Sequence, residues 1–369
     1  MKFKIEYKKL KETVEKVAKA SDIHADSLYS CIKIEAQLGK IALSATNLEI
    51  SIKMEAEAEV MQQGSIFIGA KTFARCIQKT KADSILIESN DKDIIIKSVE
   101  TGSRTTLLLP NITGEFPKMQ QMVLGEISVV SGKEFFQIVR KVLFVGDDSA
   151  GLTEIQSVAK VAIKNDSLLL QVMDQARVAV RSQEAENQND GDIDMKIKLS
   201  VLREIANLIK DFEEVKLIKS DKSLHIQGDG LFISGRILDG TVVDAMGQFK
   251  KMLPHTNAFT IDRYRLIDSL ERADILDFHS NRKIFCLDIR SDGSVDVSAI
   301  GDNGVVEDRI EITKDAVKVQ IHFNLKYALE IFKALNGTKL EIHYSDAKSP
   351  ILIYSDEYQY MYMLMPVLA

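Results

Sequence analysis

The hydrophobic pattern of this chain repeats. Its period switches between two, the mark of a half-buried strand, and 3.6, the mark of an amphipathic helix, and the switching follows one order three times. Helical spacing opens near residues 8, 131 and 262, and again near 70, 200 and 324, so equivalent positions recur every 123–131 residues. The first round reads as strand 1–7, a helix from residue 8, strands 31–37, 40–46 and 48–60, strand 65–68 leading into helix 70–81, then strands 84–89, 93–98 and 104–109. The second places helices at 132–144 and 200–211 among strands 126–130, 156–163, 167–173, 178–184 and 194–199 and three more up to residue 237, with a polar loop at 185–191. In the third, helices 262–275 and 324–335 alternate with strands 258–261, 283–290, 294–299, 305–312, 317–323, 338–344, 350–355 and 359–365. Short strands joined by turns such as Ser291-Asp292-Gly293 call for antiparallel sheets with helices on one face, an α+β fold. Prolines near the junctions divide the chain into expected domains at 1–118, 119–254 and 255–369.

Composition narrows the function classes. With 45% apolar residues in 369, each repeat has material for a core, and five prolines and 19 glycines leave little for flexible linkers. No stretch reaches the ~18 apolar residues of a membrane helix, and the first twenty residues alternate and then turn helical without the apolar core of a secretory signal. Cys31, Cys76 and Cys286 are odd in number and far apart, which points to reduced thiols and a cytoplasmic protein. The six histidines, His24, His225, His255, His279, His322 and His343, lack metal-ligand spacing, so neither a metal nor another cofactor is expected.

The near-motifs fail for physical reasons. Gly64 to Thr72 has GxxxxG before a helix, yet Ala70 separates the second glycine from Lys71, and residues 65–68 alternate like a strand where a phosphate loop needs open backbone. Gly228-Asp229-Gly230 is a hairpin turn. The run Asp190 to Asp194 is followed by Met195 where a calcium loop requires glycine and by Val201 where it requires the terminal glutamate. No nucleophile elbow or paired-histidine helix is present, so no catalytic constellation emerges.

Charge is distributed by element. The six helical segments sum to +11 by sequence, whereas the chain carries -6, so the remainder holds -17. One basic helix is an ordinary solvated face; six helices with none net acidic form a pattern suited to the phosphate backbone of a duplex, if they share one surface. With no aromatic interleaving or base-reading motif, contact would be independent of DNA sequence.

The end of the chain, residues 360–369, reads YMYMLMPVLA and is almost wholly apolar, unlike most termini. Alternate residues suit the inner face of a last strand. Pro366 ends that strand, which leaves Val367 and Leu368 to line a surface groove, and methionine's flexible thioether suits a groove that accepts several apolar peptides.

Short motifs then fall in a telling order: Thr46-Asn47-Leu48-Glu49; Gly114-Glu115-Phe116-Pro117; Leu238-Asp239-Gly240 followed by Lys250-Lys251-Met252-Leu253-Pro254; Phe323-Asn324-Leu325-Lys326-Tyr327; and Met365-Pro366. In order and spacing, over the whole chain, they resemble the beta sliding clamp family of bacterial DNA polymerase III. The resemblance implies a head-to-tail homodimeric ring of three repeated clamp domains per chain, whose helices line a hole around duplex DNA. It implies a non-enzymatic processivity factor with the polymerase III alpha subunit, the clamp loader and other motif-bearing proteins as partners, and no membrane. By that reading Arg75, Lys79, Lys81, Lys133, Arg140, Lys141, Arg203, Lys210, Arg265 and Arg272 face the duplex. A peptide groove would use Ile155, Met173, Arg177, Val178, Val243, Met252, Tyr327, Pro350, Met363, Leu364, Met365 and Pro366. The dimer contact would use Arg104, Thr106 and Leu107 from one end of the chain and Ile275 and Leu276 from the other. Two departures stand out: the family's second-domain A-T-D-G-H-R-L motif keeps only Asp174 and Arg177 among its polar residues, and four residues are inserted between Asp244 and Phe249. Two alternatives stay open, a clamp-like paralogue with altered partners and a nucleotide-binding enzyme built on the segment from Gly64 to Thr72.

Overall fold

The computed structural model of the chain describes residues 1–22, 28–99, 105–117, 125–146, 157–189, 191–241, 243–252, 256–278, 283–313, 316–355 and 360–368. Two compact units emerge: Met1–Lys133 with Glu186–Asp190 and Glu204–Leu238, and Glu134–Ala185 with Gly191–Arg203 and Asp239–Ala369.

In the first unit a five-stranded antiparallel sheet runs in the order Glu59–Gln62, Lys2–Glu6, Ser84–Ser89, Asp93–Val99, Thr106–Pro110. A longer antiparallel sheet joins Glu186–Asn187, Glu126–Val130, Val215–Lys219, Ser223–Gly228 and Leu231–Leu238 to Ile50–Glu57, Lys40–Thr46, Cys31–Gln37 and Gly64–Gly69. The seam between its halves is the ladder from Leu231↔Met54 to Gly235↔Ile50, which removes two edges that would otherwise expose unpaired backbone. Residues 65–68 lie in register with Ile32 to Glu35, so the segment between the two glycines of the near phosphate-loop motif is strand.

The second unit repeats the plan. An eight-stranded antiparallel sheet runs Ile193–Lys198, Val158–Lys164, Ser167–Met173, Arg177–Glu184, Tyr360–Leu364, Ile351–Ser355, Lys339–Tyr344, Asn257–Asp262. A four-stranded sheet runs Gly304–Glu311, Ser294–Gly301, Ile284–Ile289, Val319–Asn324.

Each predicted helix follows closely on a strand, as the change of period requires: Tyr7–Val17, Ala70–Lys79, Gly132–Val142, Leu199–Ile209, Arg263–Asp274 and Leu325–Ala334. Asp262 and Asn324 cap the last two by accepting the N–H of Arg265 (2.9 Å) and Tyr327 (3.1 Å), which satisfies donors that the first turn leaves open. The inner faces are apolar: Leu10, Val14 and Val17; Phe73 and Ile77; Leu266, Leu270 and Ala273; Leu325, Leu329 and Phe332 are buried.

Three elements differ from expectation, the first being the expected polar loop 185–191, which holds the two-residue strand Glu186–Asn187. The expected strand 48–60 is two strands, because Ala58 donates to the Gly39 carbonyl (3.1 Å) and the chain then crosses to the other sheet as Glu59–Gln62. The connection after residue 238 contains a further helix, Ala245–Met252, which the interior Gly247 and only one full apolar repeat hide from a period search.

Candidate functional site

The apolar tail finds its place in the second unit. Tyr360–Leu364 pairs with Arg177–Glu184, setting Val178 beside Met363 and Val180 beside Met361. Val178, Val180, Leu352 and Met361 form a buried cluster with Ala245 and Phe249, rimmed by Leu169, Met173, Met246, Met252, Tyr354 and Met363. Tyr354 donates to the Met361 sulfur (2.9 Å), and burial, helped by the charge of Glu341, pushes its phenol up to about 12, so it remains a neutral donor at physiological pH. Gln171 is buried beside them. Its amide N–H donates to the Val243 carbonyl (2.7 Å) and its oxygen accepts from Ala245 N–H (3.2 Å).

Next to this cluster opens a cavity of about 1040 Å³, lined among others by Lys326, Tyr327, Glu330, Met365, Pro366 and Leu368. The tail is stitched to its wall by Met365 N–H to the Ala176 carbonyl and Val367 N–H to the His322 carbonyl, both 2.8 Å. That stitching holds Leu368 outward, 68% exposed. Arg177 is buried beside three residues of the lining, Asp174, Tyr327 and Glu330. It bonds Asp174 (2.8 Å) and Glu330 (2.5 Å) and stacks on the Tyr327 ring at 4.0 Å, an arrangement that matches the planar guanidinium to two carboxylates and a π face. Asp174 also accepts the backbone N–H of Ala176 (2.7 Å) and Arg177 (2.6 Å), so one carboxylate shapes the turn and orients the arginine. The site thus joins an apolar floor to a polar mouth. Lys326, exposed in that mouth, has no ion pair among the described residues.

Of the groove residues named from the sequence, Met173, Val178, Met252 and Met363 meet at the apolar cluster, Tyr327, Met365 and Pro366 line the cavity, and Arg177 is buried against Tyr327. Val243 holds Gln171 through its carbonyl. Leu364 is fully buried and contributes to the core, and Pro350, half-buried, only leads into Ile351–Ser355. Ile155 lies outside the described residues. Sequence reasoning missed Gln171, Met246, Phe249 and Glu330. The insertion before Phe249 marks the middle two, whereas nothing local marks Gln171 or Glu330.

The cations divide into free and engaged. Arg75 and Lys79 project from helix Ala70–Lys79, Lys81 follows it, and Lys210 follows Leu199–Ile209; all four are exposed and without an ion pair among the described residues. Arg265 is likewise exposed and unpaired among them, and Arg203 is exposed. Lys133 pairs with Glu213, Arg272 with Asp308 (2.9 Å), and Lys141 donates to the Ala334 carbonyl (2.5 Å) and Asn336 (3.0 Å). Arg140 lies over the Phe136 ring.

Two outer strands complete the inventory. Thr106–Pro110 is the last strand of its sheet, with Thr106 exposed, Leu107 half-buried and Leu108 exposed. Gly304–Glu311 is the outer strand of the four-stranded sheet, and near its start Ile275 is 77% exposed, with Ile300 and Val305, a cross-strand pair, also exposed. Leu276 packs inward against Gly301, where any side chain would meet the Asp277 carbonyl at 2.4 Å. Arg104 lies outside the described residues.

Comparison with known proteins gives one answer. The family described as DNA polymerase III beta subunit, N-terminal domain, matches residues 1–120, and the one described as DNA polymerase III beta subunit, C-terminal domain, matches residues 250–367. The beta sliding clamp of Bacillus subtilis (strain 168) is 22% identical, over 96% of this chain and 95% of its own. That of Halalkalibacterium halodurans is 24% identical, over 91% of each. Among solved structures, the DNA polymerase sliding clamp from Bacillus subtilis superposes with a TM-score of 0.91 at 20% identity, covering 100% of this chain and 99% of that one. The DNA polymerase III subunit beta from Pseudomonas aeruginosa does so with 0.89 at 17% identity, covering 100% of both chains. The chain has the sliding-clamp fold.

Proposed function

The chain belongs to the DNA polymerase III beta subunit family, and from that premise we propose that it is a DNA sliding clamp, a ring of two copies that encircles duplex DNA without sequence preference and tethers a replicative polymerase. The observation that carries this reading is a pair of different outer strands with exposed apolar residues, Leu108 near one and Ile275, Ile300 and Val305 near the other. A head-to-tail contact joins unlike surfaces, so each chain must present one of each, and two such contacts close a ring. Exposed edges left unpaired would invite uncontrolled association.

Three domains, 1–118, 119–254 and 255–369, repeated in two chains, place twelve helices around the hole. The cations named above act at a distance through water: screened over about 8–10 Å, they hold the duplex in the hole without fixing it at one phosphate register. Arg75, Lys79, Lys81, Lys210 and Arg265 act most directly, since no carboxylate among the described residues competes for them. Partner peptides enter the groove, apolar side chains on the Met173, Val178 and Met363 floor and polar groups at the Lys326 and Tyr327 mouth. The polymerase III alpha subunit and the clamp loader are the expected owners of such peptides. The clamp works without a catalytic site or cofactor of its own, and its place is the cytoplasm, with the replication machinery.

The test is topological. Protein loaded onto nicked circular DNA by a bacterial clamp loader with ATP is expected to remain through gel filtration and to be lost once a single cut linearises the circle. Equal retention on linear DNA would refute encirclement.

A second reading, a clamp with a restricted set of partners, is favoured by the helix Ala245–Met252 lying against the groove floor.

A further inference from the structure

Helix Ala245–Met252 covers part of the apolar cluster to which partner peptides are assigned. Resting on that assignment, we propose that this helix is a displaceable cover, built into the chain, which competes with peptides for the floor around Val178 and Val180.

The helix has little stability of its own. It spans eight residues, whereas isolated helices below ~12–15 are marginal in water, and Gly247 in its interior weakens it further. Its start is held by a few polar contacts. Asp244 accepts the Gly247 N–H (3.1 Å) and so caps the first turn from an exposed position. Gln171 spends both halves of a buried amide on Val243 and Ala245. Beyond these, Ala245 and Phe249 are buried, while Met246 and Met252 are only partly so.

The floor, by contrast, stands without the helix. Val178 and Val180 sit on a strand paired on both sides, with Ser167–Met173 and with Tyr360–Leu364, so lifting the helix breaks no ladder hydrogen bond there. An incoming apolar peptide would replace one apolar occupant by another, and the methionines at the rim can repack around either. Binding then costs the opening of the cover, so apparent affinity is the intrinsic affinity scaled by the open fraction. Peptides with too little apolar surface to replace Met246 and Phe249 are confined to the polar mouth, and the cover becomes a filter on partners.

The experiment uses the full-length protein and a labelled peptide from the C-terminal segment of a bacterial polymerase III alpha subunit. Amide hydrogen exchange over residues 245–252 is expected to speed up when the peptide binds; slowing there would show a fixed wall and overturn the proposal. In parallel, Gln171→Ala, which removes two hydrogen bonds from the closed state, should tighten peptide binding about tenfold. Met246→Ala, a milder change that keeps the clasp, should tighten it less. Unchanged or weaker binding in both variants, with binding to the unaltered protein intact, would overturn the cover alone. No binding to any of the three would overturn the groove reading and the cover with it.

Discussion

Arg177 is held by two carboxylates and an aromatic ring, and its sequence neighbourhood tells half of the story. Asp174, three residues before it, accepts from both its backbone N–H and its guanidinium. The second carboxylate, Glu330, lies 153 positions away, as no local pattern reveals. Because Arg177 is only 6% exposed, removing its charge strands Asp174 in a dry site, while Glu330, about a third exposed, can rehydrate. Arg177→Met is therefore expected to destabilise the second unit by about 3 kcal/mol, read as a lower urea midpoint, with Arg177→Lys recovering part of the loss. Equal stability in all three proteins would mean the charge network contributes nothing.

At the scale of elements, period made most strands and helices readable, since it depends on residues within a turn or two of each other. The exception, Ala245–Met252, is a helix that tertiary contact creates: Phe249 and Ala245 are apolar at one spacing of four, and the rest of its support comes from Gln171 on a distant strand. Edge strands are a second case. Alternation identifies Thr106–Pro110 and Gly304–Glu311 as strands, but only the sheet order makes them outermost. If they close the ring, Ile275→Asp places a charge in an apolar contact and should convert the dimer to a folded monomer in sedimentation velocity, with unchanged circular dichroism. A dimer that survives both this change and Leu108→Lys would move the interface elsewhere.

For the whole molecule the decisive quantity is charge placement, because a chain of net charge -6 must present a cationic face to hold DNA. Lys71, Arg75 and Lys79 all project from one helix, unpaired among the described residues. Replacing the three by glutamine should shorten the lifetime on circular DNA and reduce the slope of log retention against log salt by about 2–3, equally on unrelated DNA sequences. An unchanged salt dependence would assign the grip to other helices. By itself the amino-acid order determined the threefold alternation of strands and helices, the basic bias of those helices and the apolar tail, because each follows from residues close together along the chain. Only the tertiary structure decided which cations stay free. Lys133, Lys141 and Arg272 are spent on Glu213, the Ala334 carbonyl and Asp308, partners brought near by folding, and electrostatic pairing depends on separation in space whatever the separation in sequence.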